Sequence, residues 1–421
     1  MDQQAFRGFY KKTVEERREL LKELQLIETL PDNLNQAVAD QMIENYITPY
    51  ILPLGVGVNF TINDRDYIVP MVTEEPSVIA AASHGAKRLG NIQARVLQRE
   101  IIGQVVLTEV KNPDQLKQTI LQQKEEYLEI ARSYCQSMVN RGGGPRDIWV
   151  KTWEGELENY VTLYLSMDTK DAMGANSINT VLEGLGDYLQ HQFEVAPLLC
   201  ILSNAGTNNR VNARVEVPFS NLHINEQRAQ QTALRIAQAS EYASIDPLRA
   251  VTHNKGVMNG IDAVVLATGN DWRAVEASVH HYASQLDRYT SLTQWTVDLE
   301  KKILYGQIEL PLPIATVGGT LSVHPTAKWA LDILGHPSAE NLMEIMAAVG
   351  LAQNFAALLA LVTHGIQKGH MSLQARSLAL QVGATVEEVP YVVKELRKKS
   401  SMSRDIAQHI LLELRNNQEK P

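Results

Sequence analysis

Cysteine is nearly absent from this chain. Its 421 residues include two, Cys135 and Cys200, which allows neither a disulfide framework nor a CxxC metal or redox motif. That usage fits a reducing cytoplasm. Excess positive charge is lacking too: 39 lysines and arginines face 48 acidic residues, a net charge of −9. Nucleic acid is therefore not an expected partner, because phosphate backbones are bound by basic patches. No run reaches the roughly 18 apolar residues that span a bilayer. Met1 to Leu20 is charged where a signal peptide would be apolar. No membrane partner and a cytoplasmic location are expected. There is no HExxH, and His280 and His281 are adjacent rather than spaced as ligands, so no metal is expected. GxGxxG is missing as well, which leaves a Rossmann domain unsupported.

What is present is globular: 44% hydrophobic and 21% charged residues, with a length that suits two or three domains. Thr13 and Glu16 form a capping box ahead of Leu20, Leu21 and Leu24. A second helix is expected over 33–47, and strands over 49–69. Pro76 suits the first turn of a helix whose small residues, Ala80, Ala81, Ala82 and Gly85, permit close helix–helix approach.

From 103 the pattern becomes strand (103–111), long amphipathic helix (113–140), strand (147–153), strand (158–168), helix (176–189), strand (197–203). That order is the split βαβ, ferredoxin-like signature. Longer helices follow, with a hairpin over 297–311. The fold class is α+β: a large, mainly helical domain (1–102 and 207–366), an inserted βαββαβ domain (103–206), and a small C-terminal helical segment (367–421).

Several local motifs have both a chemical and a plain structural meaning. Asp168 to Asn176 joins a strand to a helix, and its Gly174 would let backbone amides approach a phosphate at a helix N-terminus; it also reads as an ordinary capped turn. Lys255 lies in a polar, glycine-containing run, THNKGVMNG, where it could stabilise an oxyanion or simply be solvated on a turn. Asp271 reads as a helix N-cap or as a carboxylate that tunes a lysine. Glu74 and Glu75 suit a helix start. A glutamate there that donates a proton near neutral pH needs desolvation to outweigh the helix dipole. His370 reads as a surface histidine beside two glycines, Gly365 and Gly369.

Together these motifs resemble the class II hydroxymethylglutaryl-CoA reductases, in family order from the first helix to about residue 380. Glu74 to Ser83, EEPSVIAAAS, resembles the segment with the catalytic glutamate, placing it at Glu75. Asp171 to Asn176, DAMGAN, resembles the dinucleotide-binding motif. DPLRA (246–250) and THNKG (252–256) resemble the stretch with the substrate arginine and catalytic lysine, Arg249 and Lys255. ATGNDWRA (267–274) carries the aspartate, Asp271, and GIQKGHM (365–371) the histidine, His370. Glu44-Asn45-Tyr46-Ile47 stands where the family has a dimer motif, with Tyr46 and Thr48 departing from it.

The resemblance implies a large domain with the acyl-CoA site, an inserted dinucleotide-binding domain, a mobile C-terminal domain and a homodimer or higher assembly. It implies two hydride transfers that reduce a CoA thioester to mevalonate through a hemithioacetal and mevaldehyde. Lys255 would stabilise the oxyanion with Asp271 holding it, Glu75 would protonate the carbonyl oxygen, and His370 the thiolate. Arg249 would pair with the substrate carboxylate, helped by Ser77 and Asn259. Asp171, Ala172, Met173, Gly174, Asn176 and Asn204 would bind the dinucleotide. The alternatives are the same site run oxidatively with NAD, or an inactive CoA- or nucleotide-binding regulator.

NADP(H) is favoured over NAD(H). NADH-using members of the class this chain resembles carry an aspartate near the end of the long helix before the glycine triplet Gly142-Gly143-Gly144; counting back from Gly142, that place is held here by Cys135, and an acid there would repel a 2′-phosphate. Arg132, Ser133 and Arg141 could meet that phosphate instead.

Overall fold

The computed structural model describes residues 3–31, 34–285, 287–363, 375–399 and 401–418. His370 and the 365–369 hinge expected from sequence lie outside these residues.

The first helix, α1 (Val14–Glu23), starts with the capping box as expected: Glu16 N–H donates to Thr13 Oγ1 at 3.1 Å and Thr13 N–H to Glu16 Oε2 at 2.7 Å. The second, α2 (Gln36–Met42), is shorter than expected and is capped by Asn35. Strands β1 (Leu54–Ile62) and β2 (Arg65–Val72) form a hairpin, followed by α3 (Val78–Leu89). Pro76 lies outside α3, contrary to expectation. The helix begins only after Ser77, whose left-handed backbone (φ 81°) cannot be part of it. The close approach expected of the small residues is present: a Cβ on Gly85 would lie 2.1 Å from Ala352 O.

Strands β3 (Asn91–Arg99) and β4 (Ile101–Thr108) leave one sheet and enter another. The single helix expected over 113–140 is three: α4 (Pro113–Gln122), α5 (Lys124–Ser133) and α6 (Gln136–Val139). The backbone leaves helical angles at Gln123 and Cys135. Each piece can then keep its own apolar residues on the sheet: Leu116 and Ile120, then Tyr127, Leu128 and Ala131, then Met138. Strands β5 (Gly144–Glu154) and β6 (Asn159–Asp168), helix α7 (Ala175–Phe193) and strand β7 (Ala196–Ser203) complete the unit. Its sheet runs β5-β6-β4-β7, all antiparallel, which is the order of a split βαβ fold.

The chain returns to the first sheet at β8 (Asn209–Pro218), passes the short α8 (Phe219–Leu222), then α9 (Glu226–Ile245), α10 (Pro247–Ala267) and α11 (Trp272–Ala283). Strands β9 (Thr293–Asp298) and β10 (Ile303–Pro311) pair antiparallel. The sheet order is β2-β1-β3-β8-β10-β9. Because β3 and β8 are neighbours, the four-stranded unit is an insertion between paired strands. The part read from sequence as mainly helical thus holds a six-stranded sheet. The alternation of Ile92 and Ala94 (buried) with Asn91, Gln93 and Arg95 (exposed) already had a strand period.

Helices α12 (Pro325–Ile333) and α13 (Ala339–Thr363) follow. By length and composition α13 could cross a membrane, yet Glu344, Gln353 and Asn354 interrupt its apolar run and 78% of its most apolar window is buried inside the protein. It is the central helix of the main core, packed with residues of α3, α9, α10 and the large sheet. A separate cluster fills the four-stranded unit. A third unites residues of 375–384 with the helices Val389–Leu396 and Arg404–Gln418.

Candidate active site

Glu75 follows β2 in the turn before α3, where its N–H donates to Thr73 Oγ1 at 3.2 Å. Lys255 lies in the first half of α10. The polar, glycine-containing run around it is thus helical, not a turn. Gly260 is tolerated there because a Cβ would press on Val349 and Gln353 of α13 at 3.0 Å. Packing of α3 and α10 against the same central helix brings the turn before α3 beside α10. Lys255 Nζ reaches Glu75 Oε2 at 2.9 Å. Both side chains face solvent, 60% and 40% exposed, so they stand at a surface that a substrate can reach.

Arg249 occupies the first turn of α10. It is half-buried, which pushes its pKa down, and among the described residues no acidic group offsets that burial. Asn259 lies one turn beyond Lys255 on the same helix face. Ser77 sits two residues after Glu75 in the strained left-handed region, with its hydroxyl not spent on capping α3. A non-glycine residue held there points to a functional constraint.

Asp271 is the N-cap of α11, accepting from Arg273 N–H and Ala274 N–H. Its carboxylate also takes two bonds from the Arg273 guanidinium, each 3.0 Å. Burial opposes the charge on Asp271, but these bonds outweigh it and hold the carboxyl below the usual range. The sequence paired Asp271 with Lys255. Here Asp271 pairs with Arg273, and Lys255 with Glu75.

The DAMGAN loop links the two sheets. Asp171 O accepts from Thr316 N–H and Val317 N–H, and Asp171 Oδ1 accepts from Ala339 N–H at the start of α13. Ala172 forms a bridge with Val317. Gly174 has φ 75°, and a Cβ there would lie 2.1 Å from Thr169 Cγ2. Gly174 is the N-cap of α7 and brings no capping side chain. The first amides of a 19-residue helix, beside Met173 and Asn176, thus receive no side-chain cap, and uncapped amides at a helix N-terminus suit a phosphate. Asn204 lies past β7, tied to α11 where Ser278 Oγ donates to its carbonyl at 2.7 Å.

Two basic residues not singled out from sequence border this loop. Arg146 and Lys170 both bind Asp168, at 2.8 and 2.9 Å. Burial opposes the Asp168 charge, and these partners outweigh it, drawing its pKa down. The signal was available: two basic residues beside a glycine triplet and a loop already suspected of binding phosphate. The positions inferred on α5 and α6 fare less well. Arg132 is paired with Glu129, and Ser133 Oγ donates to Ile130 O. Cys135 turns inward, its thiol pKa pushed up by burial against the pull of Arg132. A buried side chain within the core of its own unit does not present itself to a ribose.

This geometry accords with the comparisons. The family model described as hydroxymethylglutaryl-coenzyme A reductase matches residues 13–375. A curated 3-hydroxy-3-methylglutaryl-coenzyme A reductase of Archaeoglobus fulgidus is 41% identical over 418 residues, covering 97% of this chain and 94% of the relative. A probable reductase of Borreliella burgdorferi is 33% identical, covering 97% and 95%. The solved reductase of Streptococcus pneumoniae superposes with a TM-score of 0.82 at 43% identity, covering 97% of this chain and 99% of that one. A class II reductase structure from the same organism, bound to NADPH in open conformations, gives a TM-score of 0.81 at 44% identity, covering 96% and 100%. The fold is that of a class of oxidoreductase, and the chain belongs to the hydroxymethylglutaryl-coenzyme A reductase family.

Proposed function

We propose that this chain reduces the thioester of 3-hydroxy-3-methylglutaryl-CoA to mevalonate, releasing CoA. The observation that carries the reading is the 2.9 Å contact of Lys255 with Glu75, two residues 180 apart in sequence. A cation beside a carboxyl group that takes up a proton once bound substrate has displaced water from the pair is what a carbonyl needs as it becomes an alcohol. Lys255 stabilises the oxygen as negative charge develops, and Glu75 delivers the proton to it. Arg249, with no acidic partner among the described residues, takes the substrate's free carboxylate, a task suited to a guanidinium fork. Ser77 and Asn259 orient the substrate by hydrogen bonds. Asp271 supports the reacting groups. Its ion pair with Arg273, whose side chain is 73% exposed, is of the exposed kind that costs little to exchange. His370 protonates the departing thiolate, which keeps it from adding back to the aldehyde.

NADP(H) is the favoured cofactor, as in the relative bound to NADPH, with NAD(H) the alternative. Bound, it supplies the hydride for both steps. Gly174 and the α7 amides fit its pyrophosphate, with Asp171, Ala172, Met173, Asn176 and Asn204 around it. Arg146 and Lys170 join Arg132 and Arg141 as candidates for its 2′-phosphate. We divide the chain into domains at 102, 206 and 366, supported by its separate cores. The active form is a homodimer. Ile43, Ile47, Tyr50 and Ile51 are exposed around the expected dimer motif, an apolar stretch that a second copy would cover. We place it in the cytoplasm, in keeping with two free cysteines. Comparing kcat/KM for NADPH and NADH tests the cofactor choice; a preference for NADH would overturn it.

A further inference from the structure

We propose that Asp262 and Glu276 are positioning residues that lock the Lys255 helix to α11 through a single shared proton. The proposal rests on the reductase reading only in taking Lys255 as catalytic.

The pair belongs to a hydrogen-bonded ring that leaves α10 and returns to it. Asn254, directly before Lys255, donates from Nδ2 to Tyr289 OH at 3.0 Å. Tyr289 OH lies 2.7 Å from His280 Nδ1. His280 Nε2 binds Glu276 Oε2 at 2.6 Å. The Asp262 carboxyl closes the ring by its hydrogen bond with Glu276. Asn254 and Asp262 therefore anchor α10 on both sides of Lys255 and Asn259. Glu276 and His280 belong to α11, the helix that Asp271 caps.

Two carboxylates within hydrogen-bonding reach cannot both be ionised at low cost. Asp262 Oδ1 is buried and has no hydrogen-bond partner among the described residues, so ionising Asp262 leaves a charge that none of them compensates. Burial, then the bond with Glu276 and its charge, push the Asp262 pKa up to about 8. On the other side the His280 bond, resisted by burial, draws Glu276 down. Glu276 in turn raises His280, against burial. The proton thus resides on Asp262, which donates to an anionic Glu276. Tyr289 feels Glu276 as well, but burial is the main cause that raises its pKa. Among the described residues no lysine or arginine of α9, α12 or α13 acts on either carboxyl, and Arg273 is spent on Asp271.

The folded-state pKa of Asp262 lies above its unfolded value, so its contribution to stability is complete at low pH and is lost as pH rises toward about 8. Above that pH two adjacent anions push α10 and α11 apart and displace Lys255 from its partners.

The test compares wild type with D262N and E276Q in the full-length protein. Asn keeps a donor toward Glu276, and Gln removes the second charge. Wild-type kcat is expected to fall about tenfold between pH 7 and 9, following loss of one proton with a pKa near 8, with KM much less affected. In both variants that fall shrinks to about twofold or less. Thermal melts without substrate give a readout independent of catalysis: the melting temperature declines from pH 5 to 8 more steeply in wild type than in D262N. Equal pH profiles for kcat and melting in all three proteins would overturn the proposal. If D262N folds poorly, E276Q alone decides on the same two profiles. Flattened melts in a protein that turns over no thioester would retain the pair and sink the reductase reading instead.

Discussion

Lys255 and Glu75 come within 2.9 Å of one another across two elements that share the central helix α13 as their support. One is carried by α10 and the other by the turn before α3, and each helix packs on α13. The site is therefore fixed by the core beneath it, while its charged ends stay open to solvent.

K255A should lower kcat by about a hundred- to a thousandfold, the usual cost of removing one oxyanion stabiliser. The side chain is 60% exposed, so melting temperature and CoA binding should hardly change. Near wild-type turnover would remove Lys255 from the chemistry.

R249A should act mainly on substrate affinity. A charge-assisted hydrogen bond is worth about 1.5–3 kcal/mol, so KM should rise roughly ten- to a hundredfold. R249K should recover little, because an ammonium cannot reproduce the fork. Steady-state kinetics on all three proteins decides it; an unchanged KM in R249A would mean that another group holds the carboxylate.

G174A should weaken both the fold of the loop and dinucleotide binding. Its φ of 75° and a 2.1 Å clash with Thr169 leave a Cβ no room, at a cost of about 1–3 kcal/mol for the backbone alone. Denaturant melts and cofactor titration measure the two effects. A variant as stable as wild type with normal affinity would show that the start of α7 is not where the phosphate sits.

H370Q should slow thioester reduction more than reduction of supplied mevaldehyde, since only the first releases a thiolate. Equal losses in the two assays would give His370 another role.

His253 predicts acid sensitivity. It is 2% exposed and bonded to Thr293 and Asn354, and burial, with Arg249 nearby, lowers its pKa to about 4. Its folded value lies below the unfolded one, so stability is present above pH 6.5 and is lost as pH falls toward about 4. Urea titrations should show up to about 1.4 kcal/mol lost per pH unit in that window, and less in H253Q.

The insertion, the capping box and the contributing motifs were legible in the sequence because each rests on local chemistry: alternation, caps, glycine at a turn. The pairing partners were less so. Asp271 was expected to serve Lys255, yet its nearest cation is Arg273, two residues on; which of two bases an acid meets depends on helix orientation, which no local pattern encodes. A turn is one of the two readings open for the Lys255 run, since glycines and polar residues weaken helix propensity, but α13 overrides that by packing against Gly260. Cys135 was placed by counting from a glycine triplet, and the count could not show that the backbone breaks there and turns the thiol inward. Asp262 was overlooked, although a lone acid in the apolar run after Asn259 is a signal in itself.

The most direct test follows the loss of reduced-nicotinamide absorbance when the purified chain meets NADPH and 3-hydroxy-3-methylglutaryl-CoA. The account predicts two cofactors oxidised for each free thiol released, with mevalonate as product. No oxidation with either NADPH or NADH, in a protein that melts as a folded unit and binds the CoA ester, would contradict it.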